Sequence, residues 1–142
     1  MSLTPLQINL IKSSFAAVYF NQEKSAKVFY DRLFEIAPQM RPLFTSDMKV
    51  QGKKLMDLLS VLVSATSHQS NFELLVQDTA EKHIGYGATP KYYELVGEAL
   101  LWMMQEQLRN DFTPAVQEAW TEVYQMIATA MQRVGSRAQE KT

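Results

Sequence analysis

Thr-Pro occurs three times in this chain, at Thr4-Pro5, Thr89-Pro90 and Thr113-Pro114. In each pair the hydroxyl can cap a helix, and proline suits the first helical position, where its missing N–H costs nothing. Behind Thr4, apolar residues recur at Ile8, Ile11, Phe15 and Val18, the spacing of one helical face. Gln7 is placed to complete a capping box with Thr4, and Glu73 to complete another with Ser70. Strand-like alternation is sustained nowhere, and the five glycines and five prolines are clustered. An all-α fold follows.

The periodicity predicts a first helix over about Pro5–Tyr19 and a second over about Gln22–Ile36, with Val28, Phe29, Leu33 and Phe34 inward. Pro38 and Pro42 force a short turn that ends at Leu43-Phe44. A third helix spans about Asp47–Ser67, with Leu55, Leu58, Leu59 and Leu62 inward. The polar stretch Ser67-His68-Gln69-Ser70 separates it from a fourth over about Asn71–Ile84, which Gly85 and Gly87 stop. The last two, about Pro90–Arg109 and Pro114–Val134, are apolar enough to pair as a central hairpin, with Trp102, Trp120 and Tyr124 in or beside it. That makes six substantial helices and one short one in a single domain, residues 1–142, with a frayed polar tail at 135–142. The Met103-Met104 pair suits irregular gaps in such a core.

Composition removes several functions. With no cysteine there are no disulfides, thiolate chemistry or cysteine-held metal clusters. A net charge of -1 leaves no electrostatic footprint for nucleic acid or an anionic membrane. No stretch approaches the ~20 apolar residues of a membrane span. The start Met-Ser-Leu-Thr-Pro lacks a secretion signal, so a cytoplasmic location is expected.

Chemistry concentrates in a few places. Phe29-Tyr30 lies in the second helix, Arg41-Pro42-Leu43-Phe44 at the corner and Gln51-Gly52-Lys53-Lys54-Leu55 on the third helix. Lys82-His83 then precedes Tyr93-Glu94-Leu95-Val96-Gly97. In this order and register the chain resembles a globin, most closely the bacterial single-domain haemoglobins and the globin half of flavohaemoglobins. The resemblance covers nearly the whole chain and implies a globin fold of about six to eight helices around a pocket for haem b. His83 then matches the proximal iron ligand, its other ring nitrogen oriented by a carbonyl one turn upstream such as that of Thr79. His68, in the polar loop, is expected to be solvated. Tyr30 and Gln51 match the distal pair, and Leu55, one turn beyond Gln51, aims at the same spot. Phe44 matches the phenylalanine placed against the porphyrin, and Phe29, Lys82, Tyr86, Tyr93 and Val96 complete the implied haem contacts. For Lys53 and Lys54 a solvated face is the better reading.

One implied feature is missing. The related globins link the proximal histidine to a tyrosine and to a glutamate on the last helix. Tyr93 matches the tyrosine, but where the glutamate should stand the chain has Gly135, with no carboxylate within a turn of it and the uncharged Gln132 three residues before it. Without that carboxylate, electron push toward iron weakens, and simple ligand binding gains over peroxidase-like activation.

The resemblance therefore implies a protein that reversibly binds dioxygen, nitric oxide and carbon monoxide at a five-coordinate iron, as in oxygen transport. No strand–Gly-rich–helix unit lies in these residues, so turnover as a nitric oxide dioxygenase would need a separate flavin/NAD(P)H reductase. Two other readings remain: a stand-alone haem-based gas sensor that signals to a partner protein, and a globin-shaped interaction module without haem. The surface helices show no large apolar patch, so a monomer or weak homodimer is expected.

Overall fold

The computed structural model describes residues 3–45, 47–84 and 90–140, without the side chains of residues 69, 70, 73, 80–84, 90 and 134–140. Six α-helices carry the fold: α1 (Pro5–Phe20), α2 (Gln22–Ile36), α3 (Met48–Ala65), α4 (Gln69–Ile84), α5 (Pro90–Leu108) and α6 (Pro114–Glu140). Two 3-10 turns, Pro38–Leu43 and Arg109–Asp111, make corners, and no strand occurs among the described residues.

Local chemistry explains most boundaries. Thr4 accepts from the Gln7 N–H at 3.1 Å while its own N–H donates to Gln7 Oε1 at 3.0 Å, closing the expected capping box. Thr113 caps α6 by accepting from the Val116 N–H at 3.3 Å. Asp47 caps α3 by accepting from the Lys49 N–H at 2.7 Å, so α3 starts one residue beyond it. Thr89 and the glycines expected to stop α4, Gly85 and Gly87, lie outside the described residues.

Three expectations need correction. α4 begins at Gln69, so Ser70 and Glu73 both lie inside the helix and Ser70 is not its cap; the Phe72 N–H already donates to the His68 carbonyl at 2.9 Å. α6 does not end at Val134 but runs through Gly135 to Glu140. One glycine costs a helix only about 1 kcal/mol relative to alanine, and the Arg137-Ala138-Gln139-Glu140 sequence favours continuing. In α3 the fully buried side chain is Met56, while Leu55, Leu58 and Leu59 remain half-buried and only Leu62 of the expected stripe is buried.

The helices also pair less simply than a terminal hairpin suggests. α5 and α6 touch, but α5 lies mainly along α2, and α6 along α4 and α1. Trp120 on α6 donates from Nε1 to the Ser14 hydroxyl on α1 at 2.8 Å, with its ring 6.2 Å from Phe15. Trp102 instead faces outward from α5 under the Arg32 guanidinium of α2, 4.2 Å above its ring. Arg32 also reaches Glu98 on α5 at 3.4 Å. Met103 and Met104 are fully buried, as core filling requires.

Candidate functional site

α2 and α3 cross at a point where neither has bulk. A Cβ built on Gly52 would lie 2.9 Å from the Ala26 Cβ, closer than two methyl groups pack. The crossing is therefore as tight as a backbone and an alanine allow. Its consequence lies one residue and one turn away. Gln51 precedes Gly52, Tyr30 follows Ala26 by a turn, and the Gln51 Nε2 donates to the Tyr30 hydroxyl oxygen at 3.1 Å. The two residues read as a distal pair from widely separated segments do meet.

Tyr30 is only 6% exposed and stands in an aromatic enclosure. Phe29 meets it edge-on at 4.9 Å, Phe44 edge-on at 5.3 Å, and Phe34 stacks on it at 5.8 Å. Phe34 and Phe44 also meet each other at 5.4 Å. Burial pushes the Tyr30 phenol above its ordinary value of 10.0, and the hydrogen bond from Gln51 offsets part of the rise. The group is thus a neutral O–H at physiological pH. Its oxygen already accepts from Gln51, and among the described residues its own proton has no acceptor. A buried donor with an unspent proton is costly unless something else accepts it.

The other residues singled out fall as follows. Phe29 is buried, while Phe44, Leu55, Gln51, Tyr93 and Val96 are half-buried. Leu55 stands one turn beyond Gln51 on α3, as expected. His83 and Lys82 lie on the last turn of α4, but their side chains fall outside the described residues, as does Tyr86 altogether. His68 is exposed. Lys53 and Lys54 are exposed too, and Lys53 pairs with Asp57 at 3.2 Å. Among the described residues no group of three or more His, Cys, Asp or Glu could hold a metal ion, and no helix is long and apolar enough to cross a membrane.

Residues 27–131, well over half the chain, match the family model described as Globin, and that stretch holds the last ten residues of α2, the whole of α3 and the Tyr30–Gln51 pair. The chain is a globin. Its relatives include a flavohemoprotein of Vibrio cholerae, 30% identical over 129 residues, which covers 89% of this chain and 33% of the relative. A flavohemoprotein of Xylella fastidiosa is 31% identical over 133 residues, 92% of this chain and 33% of its own length. Flavohemoprotein B of Dictyostelium discoideum is 28% identical over 129 residues, 90% of this chain and 30% of its own. The globin spans about a third of the length of these relatives.

On the α5–α6 side, geometry adds a contact that spacing did not reveal. The Tyr124 hydroxyl of α6 donates to the Tyr93 carbonyl of α5 at 2.5 Å. Its ring rests on Gly97, where a built Cβ would come within 2.6 Å of Tyr124 Cε2. Burial, then the neighbouring Tyr93, pushes the Tyr124 phenol well above the usual tyrosine range. Gly135, where related globins were expected to carry a glutamate, lies on the same helix. Among the described residues, α6 of this globin meets Tyr93 through a neutral phenol on its backbone carbonyl. Phe34, expected inward on the second helix, stands one turn after Tyr30 and stacks on it, a part in the enclosure that its inward position alone did not assign.

Proposed function

We propose that this globin holds haem b through His83 and reversibly binds dioxygen, nitric oxide and carbon monoxide in the space faced by Tyr30 and Gln51. Globin membership and flavohemoprotein relatives support haem binding. The fit of the residues carries the finer reading: a buried phenol inside three phenylalanine rings, oriented by Gln51, with its own proton unspent among the described residues. Half-buried Phe44, Leu55 and Val96 supply apolar surface that a flat macrocycle can cover.

Haem, when bound, supplies an iron with one open position for a diatomic ligand. Gln51 fixes the Tyr30 hydroxyl by donating to its oxygen, so the O–H can turn only toward a new acceptor. A ligand atom with partial negative charge accepts that proton in a hydrogen bond, worth roughly 1.5–3 kcal/mol for a charged acceptor. Dioxygen, more polar when bound than carbon monoxide, gains more. The aromatic rings exclude water and keep the interaction in a low dielectric. The Tyr93 carbonyl accepts from the neutral Tyr124 phenol, and the sequence carries no carboxylate within a turn of Gly135, which favours ligand binding over peroxidase-like activation. Nitric oxide removal by this globin would call for electrons from a flavin-dependent reductase.

The test is the absorption spectrum of the purified globin in oxidised, reduced, oxygenated and carbonyl forms, beside His83→Ala. The wild type is expected to show a five-coordinate reduced haem spectrum that changes on adding either gas. The variant is expected to lose haem; an unaltered visible spectrum would refute the assignment.

A further inference from the structure

The turn Pro38–Leu43 ends beside the aromatic enclosure, and one exposed residue on it reaches in three ways. The Arg41 guanidinium lies over the Phe34 ring, 5.1 Å from its centroid. From Nη1 it donates to the Phe44 carbonyl oxygen at 3.3 Å and toward the Met48 sulfur at 3.6 Å. The backbone closes the same loop, because the Phe44 N–H donates to the Arg41 carbonyl at 3.1 Å. Arg41 thus holds both the N–H and the C=O of Phe44, while its guanidinium covers one of the two rings that Phe44 packs against.

We infer that Arg41 is a positioning residue that clamps Phe44 against Phe34 and Tyr30, and so sets how fast ligands and haem pass this edge of the pocket. The inference rests on the proposed function, since it is the distal Tyr30–Gln51 pair that the clamp keeps dry. The turn needs such help. A 3-10 segment has poorer hydrogen-bond geometry than an α-helix, and this one contains Pro42, which donates nothing. The Phe44 ring is only half-buried, so packing alone holds it weakly. Arginine suits the task because a planar guanidinium can lie on a ring while its edge donates to a carbonyl; an ammonium offers a point charge only. A cation–π contact and one hydrogen bond at an exposed site together shift the open-to-closed ratio of the corner by about five- to twentyfold.

Two variants and three readouts decide the matter. Arg41→Met keeps an apolar stem of similar reach and removes the guanidinium; Arg41→Lys keeps the charge. Amide hydrogen exchange is followed at Phe44, with the buried Ile11 and Met103 as internal references. On the haem-loaded protein, carbon monoxide rebinding after photolysis and haem transfer to an excess of a scavenging apoprotein are measured. Arg41→Met is expected to speed Phe44 exchange by about five- to twentyfold, leave Ile11 and Met103 unchanged, and accelerate both haem-dependent rates. Arg41→Lys is expected to recover part of each effect. Unchanged Phe44 exchange overturns the inference, and so does an equal rise at Ile11 and Met103, which would mean general loosening. Faster exchange with unchanged carbon monoxide and haem rates also overturns it, because the corner would then gate nothing. A protein that takes up no haem sinks the proposed function instead, and the exchange arm still reports whether the clamp exists.

Discussion

Replacing Tyr30 by phenylalanine isolates one atom. The ring contacts with Phe29, Phe34 and Phe44 at 4.9, 5.8 and 5.3 Å do not involve the hydroxyl, so the enclosure survives. What goes is the acceptor for Gln51 Nε2 at 3.1 Å and the proton offered to a ligand. The first loss is small, about 0.5–1.5 kcal/mol for a neutral hydrogen bond, softened because half-buried Gln51 can turn toward water. The second is larger. A hydrogen bond to a partially negative ligand is worth roughly 1.5–3 kcal/mol, which is about ten- to a hundredfold in affinity. On the proposed reading the Tyr30–Gln51 pair is already set before a ligand arrives, so the change should appear in departure rather than arrival. Stopped-flow displacement of dioxygen by excess carbon monoxide measures it directly. Tyr30→Phe is expected to release dioxygen about ten- to a hundredfold faster, with a smaller change for carbon monoxide and stability lowered by about 1 kcal/mol. Equal acceleration for both gases, or a dioxygen rate within about twofold of wild type, would show that the buried phenol does not donate to the ligand.

Two further outcomes follow from the same geometry. Gly52→Ala places a methyl 2.9 Å from the Ala26 methyl, so α2 and α3 must part; denaturant unfolding should show a loss of about 1–3 kcal/mol, and an unchanged midpoint would mean the crossing is looser than described. Tyr30, Tyr93 and Tyr124 all hold their protons more tightly when folded than at the ordinary 10.0, burial being the leading cause in each. Through these three groups the native state binds more protons than the unfolded chain above pH 10.0, so their contribution to stability should be level below that pH and fall as it rises beyond, and a melting temperature that climbs above pH 10.0 would contradict the burial argument.

The positions of helices were largely legible in the chain because caps are local. Thr4 with Gln7, and Thr113 with Val116, act within a single turn, and their geometry is set by neighbours in sequence. The buried face of α1, Ile11, Phe15 and Val18, follows from its spacing for the same reason. Local signals misled where two competed: Ser70 and Glu73 have capping-box spacing, yet α4 starts earlier, with Phe72 already bonded to the His68 carbonyl. Gly135 looked like an end, but a lone glycine penalty is too small to stop a helix of good formers.

Residue spacing also picked out Tyr30, Gln51 and Phe44, since family register is a property of order along the chain. That these side chains touch is another matter. Their meeting depends on how closely two helices cross, which Gly52 and Ala26 permit but do not announce. The same holds for Trp120 donating to Ser14, for Tyr124 resting on Gly97, and for Met56 displacing the leucines from the centre of the core. One-dimensional pattern carries periodicity and capping, which act over a few residues. Crossing distance, the partner of a buried proton and the clamp on Phe44 come from packing between segments far apart in sequence, and only the assembled helices bring those atoms within reach.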